Sequence, residues 1–292
     1  MEVLSLGDVV AALEGLYPPA SAAEWDRVGL VTGDPDQPVR RILFAVDPTL
    51  GVIDEAVSWD ADLLVTHHPL LLRGVHSVAT TTAKGASVTS LVVSDTALYV
   101  AHTNADVAEP GVSTVLAAAL GLEGIRPLST DEAYAVGRVG ELPAPESLAE
   151  FADRVARVLP GTVGGIRVSG DPHGQVSTVA VLGGAGDDRF DQVRASGADV
   201  YVTADLRHHP ALEAREESRG GTPYLVDAGH WATESLWLES VRERLLAALG
   251  EDPTAPTRVE ARVSTTRTEP WTFVVGANAG RPSPAPAPGG TP

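Results

Sequence analysis

The stretch RILFAVDPTLGVIDEAVSWDADLLVTHHP, residues 41–69, decides the fold class. Ile42–Val46 is an apolar run of strand length that ends at Asp47-Pro48, and Asp62–Thr66 is a second such run. Between them lies a segment whose apolar residues follow helical spacing. A strand, a helix and a second buried strand in this order are typical of a parallel sheet covered by helices.

The same alternation continues through the rest of the chain. The predicted strands and helices after residue 69 are, in order, helix 83–93, strand 98–101, helix 112–120, helix 148–159, strands 163–168 and 178–182, helix 190–195, strand 199–203, helix 210–217, strand 224–226, helix 232–249, and final strands 258–263 and 271–275. Residues 129–146 are the expected seam between two lobes. From residue 278 the chain is rich in Pro, Gly and Ala, which predicts a disordered tail. The sequence therefore predicts an α/β fold.

Composition excludes several classes of function. The chain has 292 residues, with Lys+Arg 21 against Asp+Glu 39, so that the net charge is 21 − 39 = −18. Such a charge disfavours binding of nucleic acid or anionic lipid through a basic face. No apolar run approaches the roughly 18–20 residues of a membrane span, and the N-terminus has no basic region typical of a signal peptide. We expect a cytoplasmic protein. Without cysteine, metal ligands must be His, Asp or Glu.

Two predicted strands end in residues that can bind metal. His67-His68 follows the strand at 62–66, where the carboxyl ends of sheet strands present ligand groups. Adjacent imidazoles on extended backbone point to opposite sides and can reach two different ions; alternatively, one is packed and the other solvated. His102 and Asp106 follow the strand at 98–101. Asp106 is either a carboxylate ligand or a residue that organises a turn.

Two further strand ends carry similar residues. His230 and Glu234 are spaced i, i+4, so that both lie on one face of a helix if it has begun by His230; the alternative is an exposed helical pair without a function. Asp205, His208 and His209 follow the strand at 199–203. Arg207 beside them disfavours a cation, which favours a position around the ligands or the substrate, or a structural role at the start of a helix.

Together, four strand ends with His or carboxylate predict a metal site. Imidazole and carboxylate suit Zn, Mn, Fe, Ni or Co, and a carboxylate such as that of Glu234 can bridge two ions. Two ions roughly 3.5–4 Å apart lower the pKa of a water molecule enough to make it a nucleophile near neutral pH. Gly183–Gly186 does not complete a dinucleotide fingerprint because Arg189 stands where the third Gly is needed, and a glycine turn before a helix is the better interpretation.

Five segments of the chain resemble the NIF3 family, whose members are often called GTP cyclohydrolase 1 type 2 homologues. The matching segments are Glu24–Leu30, Thr66–Leu70, His102–Asp106, Thr203–Asp205 and Gly229–Glu234. The resemblance implies two similar α/β lobes with mixed sheets, a toroidal homohexamer, and two divalent ions per subunit. It implies metal ligands at His67, His68, Asp106, His230 and Glu234, with Glu234 bridging. His102, Asp205 and His209 are expected around these ligands.

The resemblance also sets the expected domains. We expect an N-terminal lobe at 1–128 that carries His67, His68 and Asp106, a C-terminal lobe at 129–277 that carries the other two ligands, and the tail at 278–292. The middle of the chain is too short for the extra domain of longer family members. Arg27 and Ala204 stand where the family often has Asn and Gly, respectively, and neither is an expected ligand.

Two functions are compatible with these residues. The first is a metal-dependent hydrolase that acts on a small, nucleotide-like substrate, of which hydrolytic opening of the guanine ring of GTP is one form. The second is a hexameric metal-binding or interaction protein without catalysis, because no motif for substrate recognition is identifiable. No residue other than a metal ligand is assigned a catalytic role.

Overall fold

The computed structural model describes residues 3–130, 135–250 and 258–276. The strand–helix–strand unit predicted for residues 41–69 is present as β4 (Arg41–Ala45), α2 (Leu50–Ser58) and β5 (Leu63–Thr66). Thr49 is the N-cap residue of α2, and its hydroxyl accepts a hydrogen bond from the Val52 N–H. The predicted tail, residues 278–292, lies outside the described residues.

The remaining elements complete a mixed α/β fold. The other strands are β1 (Leu4–Ser5), β2 (Gly29–Thr32), β3 (Pro38–Val39), β6 (Ala97–Val100), β7 (Glu123–Pro127), β8 (Arg138–Ser147), β9 (Arg167–Ser169), β10 (Gln175–Ala185), β11 (Val200–Ala204), β12 (Tyr224–Asp227) and β13 (Glu260–Val263). The other helices are α1 (Leu6–Leu16), α3 (Ala83–Val93), α4 (Thr103–Val107), α5 (Val112–Ala119), α6 (Leu148–Val158), α7 (Phe190–Ser196), α8 (His208–Glu217), α9 (His230–Ser235) and α10 (Trp237–Ala248), besides a 3-10 turn at Pro19–Ser21. None of the helices in the described ranges is long and apolar enough to cross a membrane.

The first large sheet has the order β13-β4-β5-β6-β2. β13, β4, β5 and β6 are parallel, and β2 runs antiparallel to β6 at the edge. β5 and β6 are buried along their whole length, which explains their continuous apolar sequence. Because the strands are parallel, the residues that follow β4, β5 and β6 all emerge at one edge of the sheet.

The second large sheet has the order β7-β8-β10-β11-β12-β9. β10, β11 and β12 are parallel, whereas β8 and β9 pair antiparallel with β10 and β12, respectively. Both sheets are therefore mixed, as the family resemblance implies. A third, two-stranded sheet joins β1 and β3.

Contacts between residues divide the described chain into two compact units. One unit runs through Val115 and takes up the chain again from Glu234 to Thr268; the other contains Leu116–Thr130 and Gly137–Thr233. This division differs from the domains expected from the sequence, because β13 returns to pair with β4 and brings α10 with it. Glu234 thus belongs to the first unit, whereas His230, one turn earlier in α9, belongs to the second.

The expected seam at 129–146 contains most of strand β8, and residues 131–134 within it lie outside the described ranges. The seam stays a prediction. Three other local predictions from the sequence are wrong. Gly183 and Gly184 are not a turn but part of β10, in which the register shifts between Val181 and Ala185. The expected strand at 163–168 is reduced to β9, and the single helix at 232–249 is two helices.

The predicted strand at 271–275 is also wrong. Within the described range 258–276, the structure has no strand after β13. Trp271, Phe273 and Val275 are 69%, 77% and 82% exposed. The residues have high strand propensity, but a strand forms only where a neighbouring edge accepts its hydrogen bonds.

Glu55 in α2 fixes the segment that follows β13, and this contact predicts a pH dependence of stability. Its carboxylate accepts hydrogen bonds from the Ser264 and Thr266 hydroxyls at 2.6 and 2.7 Å. Burial acts to raise the pKa of Glu55, but these hydrogen bonds outweigh it and lower the pKa. A lowered pKa in the folded state stabilises the fold above the pKa of the unfolded chain, and the contribution is lost as the pH falls through the folded-state pKa.

We therefore expect Glu55→Gln to be less stable than the wild type at pH 7 and to lose less stability on acidification toward pH 3. The midpoint of urea unfolding, measured across this range, tests the difference. Glu216→Gln is the control, because Glu216 is exposed and its side chain has no partner among the residues described. Parallel pH curves for wild type and Glu55→Gln would contradict the prediction.

Candidate metal centre

The first sheet brings the predicted histidines to one edge. β5 ends at Thr66 and is followed at once by His67 and His68, and β6 ends two residues before His102. The backbone of the His pair stays in register with the neighbouring strand, since the N–H groups of His67 and His68 donate to the carbonyls of Ala45 and Val46 at 3.2 and 2.9 Å. The fold therefore fixes the backbone from which both imidazoles project.

His67 is the most buried member of the cluster, with 1% of its surface exposed. Its Nδ1 lies 3.0 Å from the carbonyl oxygen of Ala101. A carbonyl can only accept, so Nδ1 carries the proton and Nε2 of the neutral ring has a lone pair. That Nε2 is buried and has no hydrogen-bond partner in the described chain. It lies 3.5 Å from Glu234 Oε1 and 3.7 Å from Asp106 Oδ1.

His68 and His102 are held in the same way, by carboxylates. His68 Nδ1 lies 2.7 Å from Asp47 Oδ1, and His102 Nδ1 lies 3.0 Å from Asp26 Oδ1. One ring nitrogen from each of these two histidines and from His67 lies within 4.8 Å of the others. Since each Nδ1 is engaged by an acceptor, Nε2 is the atom left on each ring to bind an ion. Imidazoles that bind metals are commonly oriented in this manner.

Two carboxylates complete this cluster, the buried Glu234 and the half-buried Asp106. Glu234 is 3% exposed, and its Oε2 lies 3.3 Å from His68 Nε2. Burial raises the pKa of Asp106, although the nearby rings of His67 and His102 act to lower it. Burial acts to lower the pKa of His68, but the carboxylates of Glu234 and Asp47 outweigh it and raise that pKa well above its usual range. Glu234 and Asp47 thus stabilise positive charge on the His68 ring.

Trp237 and Tyr17 close the cluster on its protein side. The indole ring of Trp237 lies 5.4 Å from the His67 ring and meets the ring of Tyr17 edge-on at 5.5 Å. Its Nε1–H donates to the Tyr17 hydroxyl at 3.2 Å. The carbonyl of Tyr17 in turn accepts from the amide of Asn104, at 2.8 Å, in the helix that carries Asp106. This packing holds His67 and α4 against the buried rings of Tyr17 and Trp237.

The remaining predicted residues lie in the second unit. His230 begins α9, and its Nδ1 lies 2.7 Å from Asp205 Oδ2. Asp205 has a left-handed backbone (φ 54°), which is uncommon for a residue other than glycine and common at functional sites. His209 is exposed in the first turn of α8, and its ring packs on that of His208 at 5.0 Å. Among the described residues, no group of three or more potential ligands contains His209.

The sequence missed two anchors, Asp26 and Asp47. It placed His102 around the ligands, and the structure brings a ring nitrogen of His102 within 4.8 Å of ring nitrogens of His67 and His68. Asp26 accepts hydrogen bonds from His102 and from both the N–H and the hydroxyl of Thr103. Burial acts to raise the pKa of Asp26, but these bonds outweigh it and hold the pKa well below its usual range. For Asp47 the available signal was its place directly after a predicted strand.

The cluster is chemically suited to a divalent cation. Three imidazoles and two carboxylates are the donors that borderline divalent metals prefer. The buried Nε2 of His67 points its lone pair toward two acids without a hydrogen bond, an arrangement that a cation would stabilise.

Comparisons with known proteins identify the family of this chain. A sequence model described as Duf34/NIF3 (NGG1p interacting factor 3) matches residues 4–270. A protein of Streptomyces coelicolor named GTP cyclohydrolase 1 type 2 homolog is 50% identical over 275 residues, which cover 91% of this chain and 93% of that protein. A protein of the same name from Mycobacterium leprae is 34% identical, over 91% of this chain and 94% of its own length.

Solved structures show the same fold. The crystal structure of a Bacillus cereus protein related to NIF3 superposes with a TM-score of 0.84 at 25% identity, covering 94% of this chain and all of that chain. Reduced HcgD from Methanocaldococcus jannaschii gives a TM-score of 0.72 at 30% identity, over 90% of this chain and 99% of that one. With the sequence match spanning residues 4–270, this chain belongs to the Duf34/NIF3 family.

Proposed function

We propose that this chain is a metal-dependent hydrolase that uses two divalent ions per subunit and acts on a small, nucleotide-like substrate. The observation that carries the proposal is the cluster around His67, whose buried Nε2 faces Glu234 and Asp106 without a hydrogen bond in the described structure. The name of the relatives, GTP cyclohydrolase 1 type 2 homolog, supports a nucleotide as the first substrate class to test.

The proposed ligands are His67, His68, Asp106, His230 and Glu234. The first two directly follow β5, and the last two lie one helical turn apart in α9, so that their side chains share a face of that helix. Glu234 is the proposed bridge, because one of its oxygens faces His67 and the other faces His68. His102, with its Nδ1 held by Asp26, is a further candidate ligand.

The side chains around the proposed ligands orient the imidazole rings and exclude water from one side of the cluster. When bound, divalent ions polarise a substrate oxygen and lower the pKa of water, which is the chemistry that hydrolysis requires. Asp47 and Asp26 orient the rings of His68 and His102, while Trp237 excludes water from the protein side of His67. These Nδ1 contacts turn the Nε2 atoms of His68 and His102 away from the anchoring carboxylates, and His68 would release its Nε2 proton on binding an ion.

Metal analysis and an activity screen test the proposal together. We expect purified protein to contain close to two equivalents of a divalent transition metal, and the loaded protein to hydrolyse a nucleotide or phosphoester. A metal content near zero after growth and purification without chelators, with no uptake on addition of Mn²⁺, Zn²⁺ or Co²⁺, would refute it. Full loading without turnover on any substrate would favour the alternative, a non-catalytic metal-binding protein.

We also propose that the protein is a cytoplasmic homohexamer, from its family membership. Light scattering coupled to gel filtration gives the mass directly, since the subunit is 30.3 kDa. A monomeric mass at micromolar concentration would contradict the hexamer.

A further inference from the structure

Asp47 has a second partner besides His68, and this partner comes from the far end of the first unit. The hydroxyl of Thr268 donates a hydrogen bond to Asp47 Oδ2, while Oδ1 faces His68 Nδ1 at 2.7 Å. The two oxygens of the Asp47 carboxylate therefore contact different residues: Oδ1 contacts the imidazole and Oδ2 the hydroxyl. With Oδ2 held by a hydroxyl, rotation of the carboxylate about its last torsion angle would break one of the two contacts.

The same arrangement occurs a second time in the cluster. Asp26 places Oδ1 against His102 Nδ1, and its Oδ2 accepts from the hydroxyl of Thr103. In both cases, a threonine hydroxyl donates to a carboxylate, and the other oxygen of that carboxylate contacts an imidazole Nδ1. His67 differs, because its Nδ1 contacts the backbone carbonyl of Ala101, whose direction is set by the main chain and not by a side chain.

Thr268 is held in place by the segment to which it belongs. This segment, Ser264–Thr268, follows β13, and the Ser264 N–H donates to the carbonyl of Phe44 in β4 at 2.7 Å. Glu55 then fixes it through the Ser264 and Thr266 hydroxyls. Asp47 lies two residues after the end of β4, so the parallel pair of β4 and β13 delivers both residues to the same edge of the sheet.

We infer that Thr268 is a positioning residue for the metal centre, which acts on His68 through Asp47. The inference rests on the proposed function in that it requires His68 to bind an ion. It assigns a role to the segment Ser264–Thr268, which carries no potential ligand itself. Outer-shell partners of metal-bound histidines commonly affect metal affinity because they fix the direction of the ring.

Substitution of Thr268 tests the inference. Thr268→Val removes the hydroxyl at nearly constant shape, and we expect the dissociation constant for Co²⁺, followed by its visible absorption, to rise about tenfold, the low end of the effect of outer-shell changes. Thr268→Ser retains the hydroxyl and should restore affinity to within about twofold of the wild type. Thr265→Val is the matched control, since the Thr265 side chain is exposed and only its N–H contacts Glu55.

A double-mutant cycle shows whether Thr268 acts through Asp47. If it does, Thr268→Val should change Co²⁺ affinity by less than about twofold in an Asp47→Asn background, because interacting residues are not additive. Melting of the metal-free variants separates folding from binding. A lower melting temperature of Thr268→Val with unchanged Co²⁺ affinity, or an additive double mutant, would overturn the inference and leave the proposed function intact. A wild type that binds no Co²⁺ would refute both.

Discussion

Glu234→Gln is expected to lose its divalent metal, with a fall in affinity of more than about 100-fold, above the 10–100-fold range of outer-shell substitutions. Glutamine has nearly the same shape as glutamate but carries no charge. Glu234 is buried, and its two oxygens lie 3.5 and 3.3 Å from the Nε2 atoms of His67 and His68. No other side chain in the described structure approaches both of these atoms within ion-pair distance.

Elemental analysis and Co²⁺ titration measure this loss. Glu239→Gln is the matched control on the next helix: its carboxylate is 56% exposed and pairs with Arg242, so its metal content should equal that of the wild type. If Glu234→Gln retained metal at the wild-type level, Glu234 would not be a ligand, and the proposed centre would have to be abandoned.

Trp237→Ala is expected to have the largest effect on stability. Its side chain is fully buried, and its removal leaves a cavity beside His67 and Tyr17. The Tyr17 hydroxyl also loses the hydrogen bond from the indole N–H and keeps the one from Arg244. Substitutions of this kind cost about 3–5 kcal/mol in free energy of unfolding. Because the cavity lies against the His67 ring, we expect the variant to bind metal more weakly as well.

Urea unfolding in the presence of a chelator isolates the packing effect from that of bound metal. Trp271→Ala is the matched control, since Trp271 is 69% exposed and exposed substitutions usually change stability by less than about 0.5 kcal/mol. If the free energy of unfolding of Trp237→Ala lay within about 1 kcal/mol of the wild-type value, the packing of Trp237 on Tyr17 and His67 would contribute little to stability.

The sequence predicts those parts of the fold that depend on local pattern. β4, β5 and β6 are buried on both faces and therefore read as continuous apolar runs. His67 and His68 stand directly after such a run, so that both their exit from the sheet and their proximity to His102 follow from parallel strand order. The expectation of mixed α/β sheets and of family membership is confirmed.

What the sequence does not predict depends on contacts between distant segments. Asp26 and His102 are 76 residues apart, and Asp47 and Thr268 are 221 apart, so no spacing rule relates them. The sequence of β13 predicts a short strand but does not indicate that it pairs with β4. That pairing determines to which unit α10 belongs. Conversely, Trp271–Val275 has the composition of a strand but no edge to join among the residues described.

The ligand set from the sequence stays a prediction that anomalous diffraction can test. Crystals of the protein grown with Mn²⁺ or Zn²⁺ should be recorded above and below the absorption edge of the metal. We expect anomalous peaks about 2.0–2.3 Å from the Nε2 atoms of His67 and His68 and from an oxygen of Glu234. Anomalous peaks only at other residues, or none at all in crystals soaked at millimolar metal, would contradict it.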